Sequence, residues 1–210
     1  MGGDGASDRL NEFASVRALT LAAVTPLSQE QLDFSPRPGR WSVGEVADHL
    51  LLAESQYRDE IGQLIELARS GRRPYIKRSF ADANVSPLYL PDSVLSLLEV
   101  PFSIFGRFVP DAVRGAITEM PLLPTRNPDF ATPRSHRPAA ALKADLANSI
   151  QRTRDLLATN ADLDFMQLVS EHPLMGRTNV PQILTFLARH ERRHQMQMEK
   201  VRESVGFPQV

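Results

Sequence analysis

A chain of 210 residues with a formal net charge of −1 and a pI near 6.5 can bury one sizeable core, and it gives no electrostatic argument for nucleic acid or an acidic membrane surface as partner. There is no cysteine, which excludes disulfides, thiolate metal sites and a cysteine nucleophile. The most apolar stretch, 94–109, is interrupted by Glu99, Pro101 and Arg107 and is too short to span a bilayer.

In chain order, residues 1–6 are expected to be disordered or tag-derived, and they carry no signal-peptide pattern, which with the lack of cysteine reads as a cytoplasmic protein. The first helix is predicted from Ser7 to Val24, with Leu10, Phe13, Ala14, Ala18 and Leu21 on its inner face. Pro26, Pro36, Pro38 and Gly39 then hold a loop. Ser42 and Glu45 form a capping box that starts a second helix, which ends at Gly71. Residues 72–138 carry ten of the sixteen prolines. They read as an extended connection packed on the helices, with short helices around 92–99 and 102–117. Phe102, Phe105 and Phe108 are its candidates for a pocket wall. A third helix is predicted over 139–159. A fourth runs over 180–204, capped by Asn179 with Gln182 as its box partner and Pro181 in the first turn. No stretch alternates cleanly enough for a strand, so the fold class is all-α, a four-helix bundle in one domain spanning 1–210.

Residues 190–194 read HERRH, literally the zinc-protease pattern H-E-x-x-H. A metzincin would have Gly at 197 and His at 200, where this chain has Gln197 and Lys200. A thermolysin-like enzyme takes a downstream glutamate, yet Glu199 and Glu203 lie on the same helix as the motif. No edge strand is predicted to align a peptide. The pair His190 and His194 instead continues the apolar stripe of Ile183, Leu184, Phe186 and Leu187, so both rings belong to the buried seam. Either they are core histidines with hydrogen-bond partners, or they offer two imidazoles to one ion. A third imidazole is available from His49, at the margin of the inward stripe Val43, Val46, Leu50 and Ala53. In an antiparallel pair of helices, His49 at about 10 Å and the 190/194 pair at about 15 Å from coincident ends stand at compatible depths. Three neutral imidazoles would leave a coordination position open.

Two segments carry a resemblance. Residues 27–54, LSQEQLDFSPRPGRWSVGEVADHLLLAE, have a Pro/Gly-rich approach, then Trp-Ser, then a histidine two turns later. Residues 171–198, EHPLMGRTNVPQILTFLARHERRHQMQM, have His-Pro-x-x-Gly before a helix, then H-x-x-x-H and a glutamine three residues on. Together they resemble the DinB-like superfamily. That resemblance implies an up-down-down-up bundle with a divalent metal, often zinc or nickel, held by His49, His190 and His194. It implies relatives that include bacillithiol S-transferases and mycothiol-dependent isomerases, and others described as metal-dependent hydrolases. Where such relatives often have Arg-Gly after the last histidine, this chain has Gln195 and Met196, which predicts a tighter or differently shaped floor with the ligands intact.

Other candidates have bland readings beside the functional ones. Trp41 is a hydrophobic staple or a pocket wall. Gln197 is an exposed helical glutamine or a partner of a metal ligand. His136 and His172 read as surface loop residues, His172 with a place at the site's rim. Glu45 is accounted for by capping. Glu191, at the seam's edge, is a weak candidate for a catalytic base. Arg72, Arg73, Lys77 and Arg78 are a solvated cluster or a binding patch for an anionic thiol cofactor. Two function classes follow. One is a metal-dependent enzyme acting on a small-molecule substrate, a low-molecular-weight thiol S-transferase or a hydrolase. The other is a non-catalytic metal-binding or structural bundle whose face serves a homodimer.

Overall fold

The computed structural model describes residues 4–78, 132–172 and 176–209. The expected short helices of 92–117 and the wall of Phe102, Phe105 and Phe108 lie outside them. The described chain is predominantly helical: α1 (Asp4–Val24), α2 (Gln29–Asp33), α3 (Val43–Arg69), α4 (Ala139–Thr159) and α5 (Val180–Arg202). Three short strands join them, β1 (Tyr75–Lys77), β2 (Val169–His172) and β3 (Gly176–Asn179).

The helix boundaries follow from local chemistry. Ser42 Oγ accepts from the Glu45 amide at 3.1 Å while the Ser42 amide donates to Glu45 Oε2 at 2.8 Å, so the box that starts α3 satisfies two orphan donors. Asn179 and Gln182 do the same for α5 at 3.1 and 3.0 Å. The helix α3 stops where Gly71 takes φ +69°, a conformation that costs glycine little. The helix α4 has no side-chain cap of its own; the Ala139 amide donates instead to Gln29 Oε1 at 2.8 Å, from α2.

Three expectations are corrected. The helix α1 begins at Asp4, ahead of Ser7, and Ala6 is buried in the core. Its inner face is Ala6, Leu10, Phe13, Val16, Arg17, Thr20 and Val24; Ala18 is exposed. The reading rotated the helix because it kept Arg17 and Thr20 out of the core. The helix α2, with a Ser28–Gln31 capping box, occupies part of the expected loop. There is also a sheet: β2 pairs antiparallel with β3, Val169 opposite Asn179, and parallel with β1, Tyr75 opposite Val169. Strands of three and four residues are too short to show an alternation.

The helix α1 packs on α4 and α5, and α3 packs on the same two. Gly44 lets α3 meet α2 closely; a Cβ there would stand 2.9 Å from the Leu32 carbonyl oxygen. The apolar core falls into two clusters. One holds Phe13, Ile61, Leu64, Leu157, Ile183, Leu184 and Leu187, and the other Val24, Leu32, Val46, Leu50, Leu142, Leu146, Met198 and Val201. Each of these large side chains stabilises the fold by about 1.5–3 kcal/mol through burial. Between the clusters every long helix turns polar: Arg17 and Thr20 on α1, Glu54 on α3, Ser149 and Thr153 on α4, Glu191 and His194 on α5, all buried. This polar layer is where the site lies.

Candidate metal centre

His49 enters the layer from α3, and His190 and His194 from α5. Their ring nitrogens converge. His190 Nε2 stands 3.3 Å from His49 Nε2 and 3.1 Å from His194 Nε2. One ligand atom from each ring can be chosen so that all lie within 4.8 Å of one another, and this donor set could hold a metal ion. Two nitrogens each about 2.1 Å from one ion stand about 3.4 Å apart in a tetrahedral site and about 3.0 Å apart in adjacent octahedral positions. The two spacings from His190 Nε2 fall between those values.

The rings' protonation suits the same purpose. Burial, then the neighbouring histidines and Arg193, push His190 well below the ordinary histidine value. Burial and His49 push His194 down to about 4 against a smaller opposing effect of Gln197. Both rings are therefore neutral at pH 7, as ligation requires. Gln197 Oε1 lies 2.8 Å from His194 Nδ1 and can only accept there, which puts the His194 proton on Nδ1 and a bare lone pair on Nε2.

Aromatic rings frame the cluster. Trp41 lies 4.9 Å from the His49 ring, centroid to centroid. Phe186 stacks on His190 at 5.6 Å and 20°, and Tyr57 leans on Phe186 at 5.2 Å. Trp41 also packs on the second apolar cluster. One residue before His49, Asp48 is fully buried and accepts from Arg134 N at 2.7 Å, Arg134 Nη2 at 2.8 Å and Arg137 Nη1 at 2.8 Å. Burial alone would raise its pKa; the bonds from Arg134 and Arg137 outweigh that and hold it below the ordinary carboxylate value. The clasp ties the chain before α4 to α3 beside the His49 ligand position.

Glu191 faces elsewhere. Its two oxygens accept from Arg17 Nε at 2.8 Å and Arg17 Nη2 at 2.9 Å, and Oε1 also accepts from Thr20 at 2.5 Å. It lies in the core toward α1, not at the seam's edge. Arg17 continues to Glu54 at 2.9 Å and to the Leu146 carbonyl at 3.1 Å, and Thr153 donates to Glu54 at 2.8 Å. Sequence reasoning missed this network. Its signal was an arginine at the i+4 position from Phe13, on the helix face that Leu10 and Phe13 define.

The model of the DinB superfamily matches residues 12–198, a span that holds all three histidines. The chain belongs to the DinB superfamily. No match was found among curated proteins or among solved structures. In this DinB chain the departure after the last histidine has a definite form. Gln195 Nε2 donates to the Val16 carbonyl at 2.8 Å and to Thr20 at 2.9 Å, so it joins the Arg17 layer, while Met196 is exposed.

The remaining candidates stand apart from the cluster. His172 is in β2, not in a surface loop, opposite Gly176, and burial with the charge of Arg78 pushes it down to about 4. His136 is exposed, as the sequence suggested, and its Nδ1 lies 3.3 Å from Asp33. Glu45 serves its cap and accepts from Ser135 at 2.6 Å. The basic cluster does not converge: Arg78 pairs with Glu60 at 3.3 Å, Arg72 donates to Ser70, and Arg73 lies over Tyr75. Among the described residues no helix is long and apolar enough to cross a membrane.

Proposed function

We propose that His49, His190 and His194 hold one divalent ion, zinc or nickel, and that this chain is a metal-dependent enzyme acting on a small molecule, of the thiol S-transferase or hydrolase type. The observation that carries the reading is the convergence of the three imidazoles, with His190 Nε2 at 3.3 and 3.1 Å from its two neighbours. Bound there, the ion supplies the Lewis acidity that makes a nucleophile of a thiol or a water near neutral pH. The chain's own residues position and exclude. Gln197 fixes the His194 tautomer, and Trp41 and Phe186 hold their histidines and keep bulk water from those ring faces. Glu191 takes no proton in this reading, because Arg17 and Thr20 occupy its oxygens. A protease is disfavoured on the same ground. The small sheet removes one sequence argument against a protease, and the commitment of Glu191 replaces it.

The bundle order that goes with this reading is up-down-down-up. Supporting it, Glu12–Arg192 and Thr20–Gln195 advance along α1 and α5 together, and Glu54–Thr153 and Arg69–Asn160 advance along α3 and α4 together. The pairs Tyr57–Phe186 and His49–His194 run in opposite senses along α3 and α5.

The test is elemental analysis of the purified protein, reconstituted with zinc, nickel or manganese, beside the single His49→Ala, His190→Ala and His194→Ala variants. About one ion per chain, lost in all three variants, is the expected result. Stoichiometric metal in His49→Ala would remove that residue from the site. No metal in the wild type would leave three hydrogen-bonded core histidines and a structural bundle.

A further inference from the structure

A cleft of about 610 Å³ opens beside Trp41 and Gln197. One wall comes from the loop before α3, with Arg37, Arg40 and Trp41; the other comes from α5, with Arg193, Gln197 and Lys200. Trp41 and Gln197 belong to both places: Trp41 stacks near His49 and Gln197 holds His194. Cleft and cluster are therefore neighbours through these two side chains.

The cleft's charge is one-sided. Four of its lining residues are cationic and none is acidic, in a chain whose formal net charge is −1. Arg37, Arg40 and Lys200 make no ion pair among the described residues, whereas Arg69, Arg134 and Arg137 are each matched to a carboxylate. The charge of Arg193 is felt by both His190 and His194. Arg37, Arg40 and Lys200 on one hollow repel one another unless an anion sits among them, and guanidinium groups are shaped for the two oxygens of a carboxylate or phosphoryl group. A hollow of this volume suits a small molecule. Trp41, Met196 and Val201 offer that molecule an apolar surface beside the charges.

We propose that this cleft is an oxyanion site, which holds the carboxylate or phosphoryl end of a small molecule with Arg37, Arg40, Arg193 and Lys200. The proposal rests on the metal reading only for what the other end of that molecule meets: the reactive end is directed toward Trp41 and Gln197, the side chains that the cleft shares with the surroundings of the histidines. The substrate class that follows is an anionic small molecule, and an uncharged one would lack its anchor.

Trp41 is the chain's single tryptophan and forms part of the wall, so its fluorescence reports occupancy without any assay of turnover. Inorganic phosphate and succinate, titrated separately at constant ionic strength, separate a phosphoryl ligand from a carboxylate one. At least one should give a saturable change. The double variant Arg40→Gln/Lys200→Gln, whose two side chains are exposed, should weaken that binding at least about tenfold, since it removes two of the charge-assisted donors. Its zinc content should stay at the wild-type level. Arg154→Gln, an exposed residue of α4, should leave both properties unchanged. His190→Ala should lose zinc and keep the anion response. A response that saturates with neither probe, or one unchanged in the double variant, would overturn the proposal whatever the zinc content. A response lost with zinc in His190→Ala and retained in the double variant would place the anion on the metal, and would overturn it equally.

Discussion

Arg17 and Glu191 are joined by two hydrogen bonds, at 2.8 and 2.9 Å, in a place where each side chain is only 1% exposed. The glutamate of the HERRH sequence is thereby one half of an ion pair that bridges α1 and α5. Burial alone would push Arg17 down; Glu191 and Glu54 outweigh it and raise it, so the guanidinium stays charged. Two helices are locked in register one residue away from His190.

The first prediction concerns that pair. Arg17→Met leaves two buried carboxylates without their partner and should destabilise the fold by about 3–5 kcal/mol. Glu191→Gln keeps the shape and part of the hydrogen bonding and should cost less. Urea denaturation of both variants checks the order. If Glu191→Gln kept its fold and zinc yet lost all turnover on a substrate of the wild type, the structural role given to Glu191 would be wrong.

The cluster of His49, His190 and His194 was legible because helical spacing is a reliable ruler: 190 and 194 share a face, and a capping box fixed where α3 begins and hence the depth of His49. The Arg17 layer was not legible by the same ruler. An arginine on an apolar stripe is ordinarily at the surface, and only the carboxylates of two distant helices make its burial tolerable. The strands escaped for another reason. Residues 169–172 pair with 176–179 and with β1, so the conformation of these short segments is set by tertiary contact more than by their own pattern. Gln197 sat between the two cases: its position was readable, but its bond to His194 depends on a rotamer that no spacing specifies.

Asp48 gives the second prediction. It is fully buried and bonded by Arg134 and Arg137, and those bonds anchor the chain before α4. Asp48→Ala takes from the largely buried Arg137 one of its two carboxylate partners, leaving Asp145, and takes from Arg134 its carboxylate partner, and should cost about 1–3 kcal/mol. Asp48→Asn retains an acceptor and should cost less. Thermal melts and proteolysis near Arg134 measure both; equal stability for Asp48→Ala would show that the clasp contributes nothing.

Acid should act on the metal-free protein through its histidines. His194 is held at about 4 and His190 well below its ordinary value of 6.5. Between those limits the unfolded chain binds protons that the folded chain refuses, so stability is full above pH 6.5 and falls as pH drops toward 4. The slope approaches about 1.4 kcal/mol per pH unit for each ring that stays neutral. His172, pushed to about 4, adds in the same sense. The window from 6.5 to 5 isolates this effect, since ordinary carboxylates titrate below it. Urea midpoints that stay flat across that window would contradict it.

The last prediction separates Gln197 from the ligands it serves. It is half-buried on α5, touches His194 Nδ1 at 2.8 Å, and lines the cationic cleft on its other side. Replacing it by leucine removes the acceptor and leaves a side chain that fits an amphipathic helix, so stability without metal should change by less than about 1 kcal/mol. Zinc affinity should fall by about 10–100-fold, because His194 loses the partner that fixes its tautomer and orientation. Gln197→Glu should do the opposite: a carboxylate accepts the same N–H more strongly and makes the ring a better donor. Competition with a chromophoric chelator measures the three affinities in one series. A flat series would mean that the His194 ring is oriented by packing alone. A fall in Gln197→Leu matched by an equal loss of metal-free stability would mean that the glutamine is structural first. The expected pattern, affinity rising from leucine to glutamine to glutamate over an unchanged metal-free fold, requires that the bond seen to His194 acts on a bound ion.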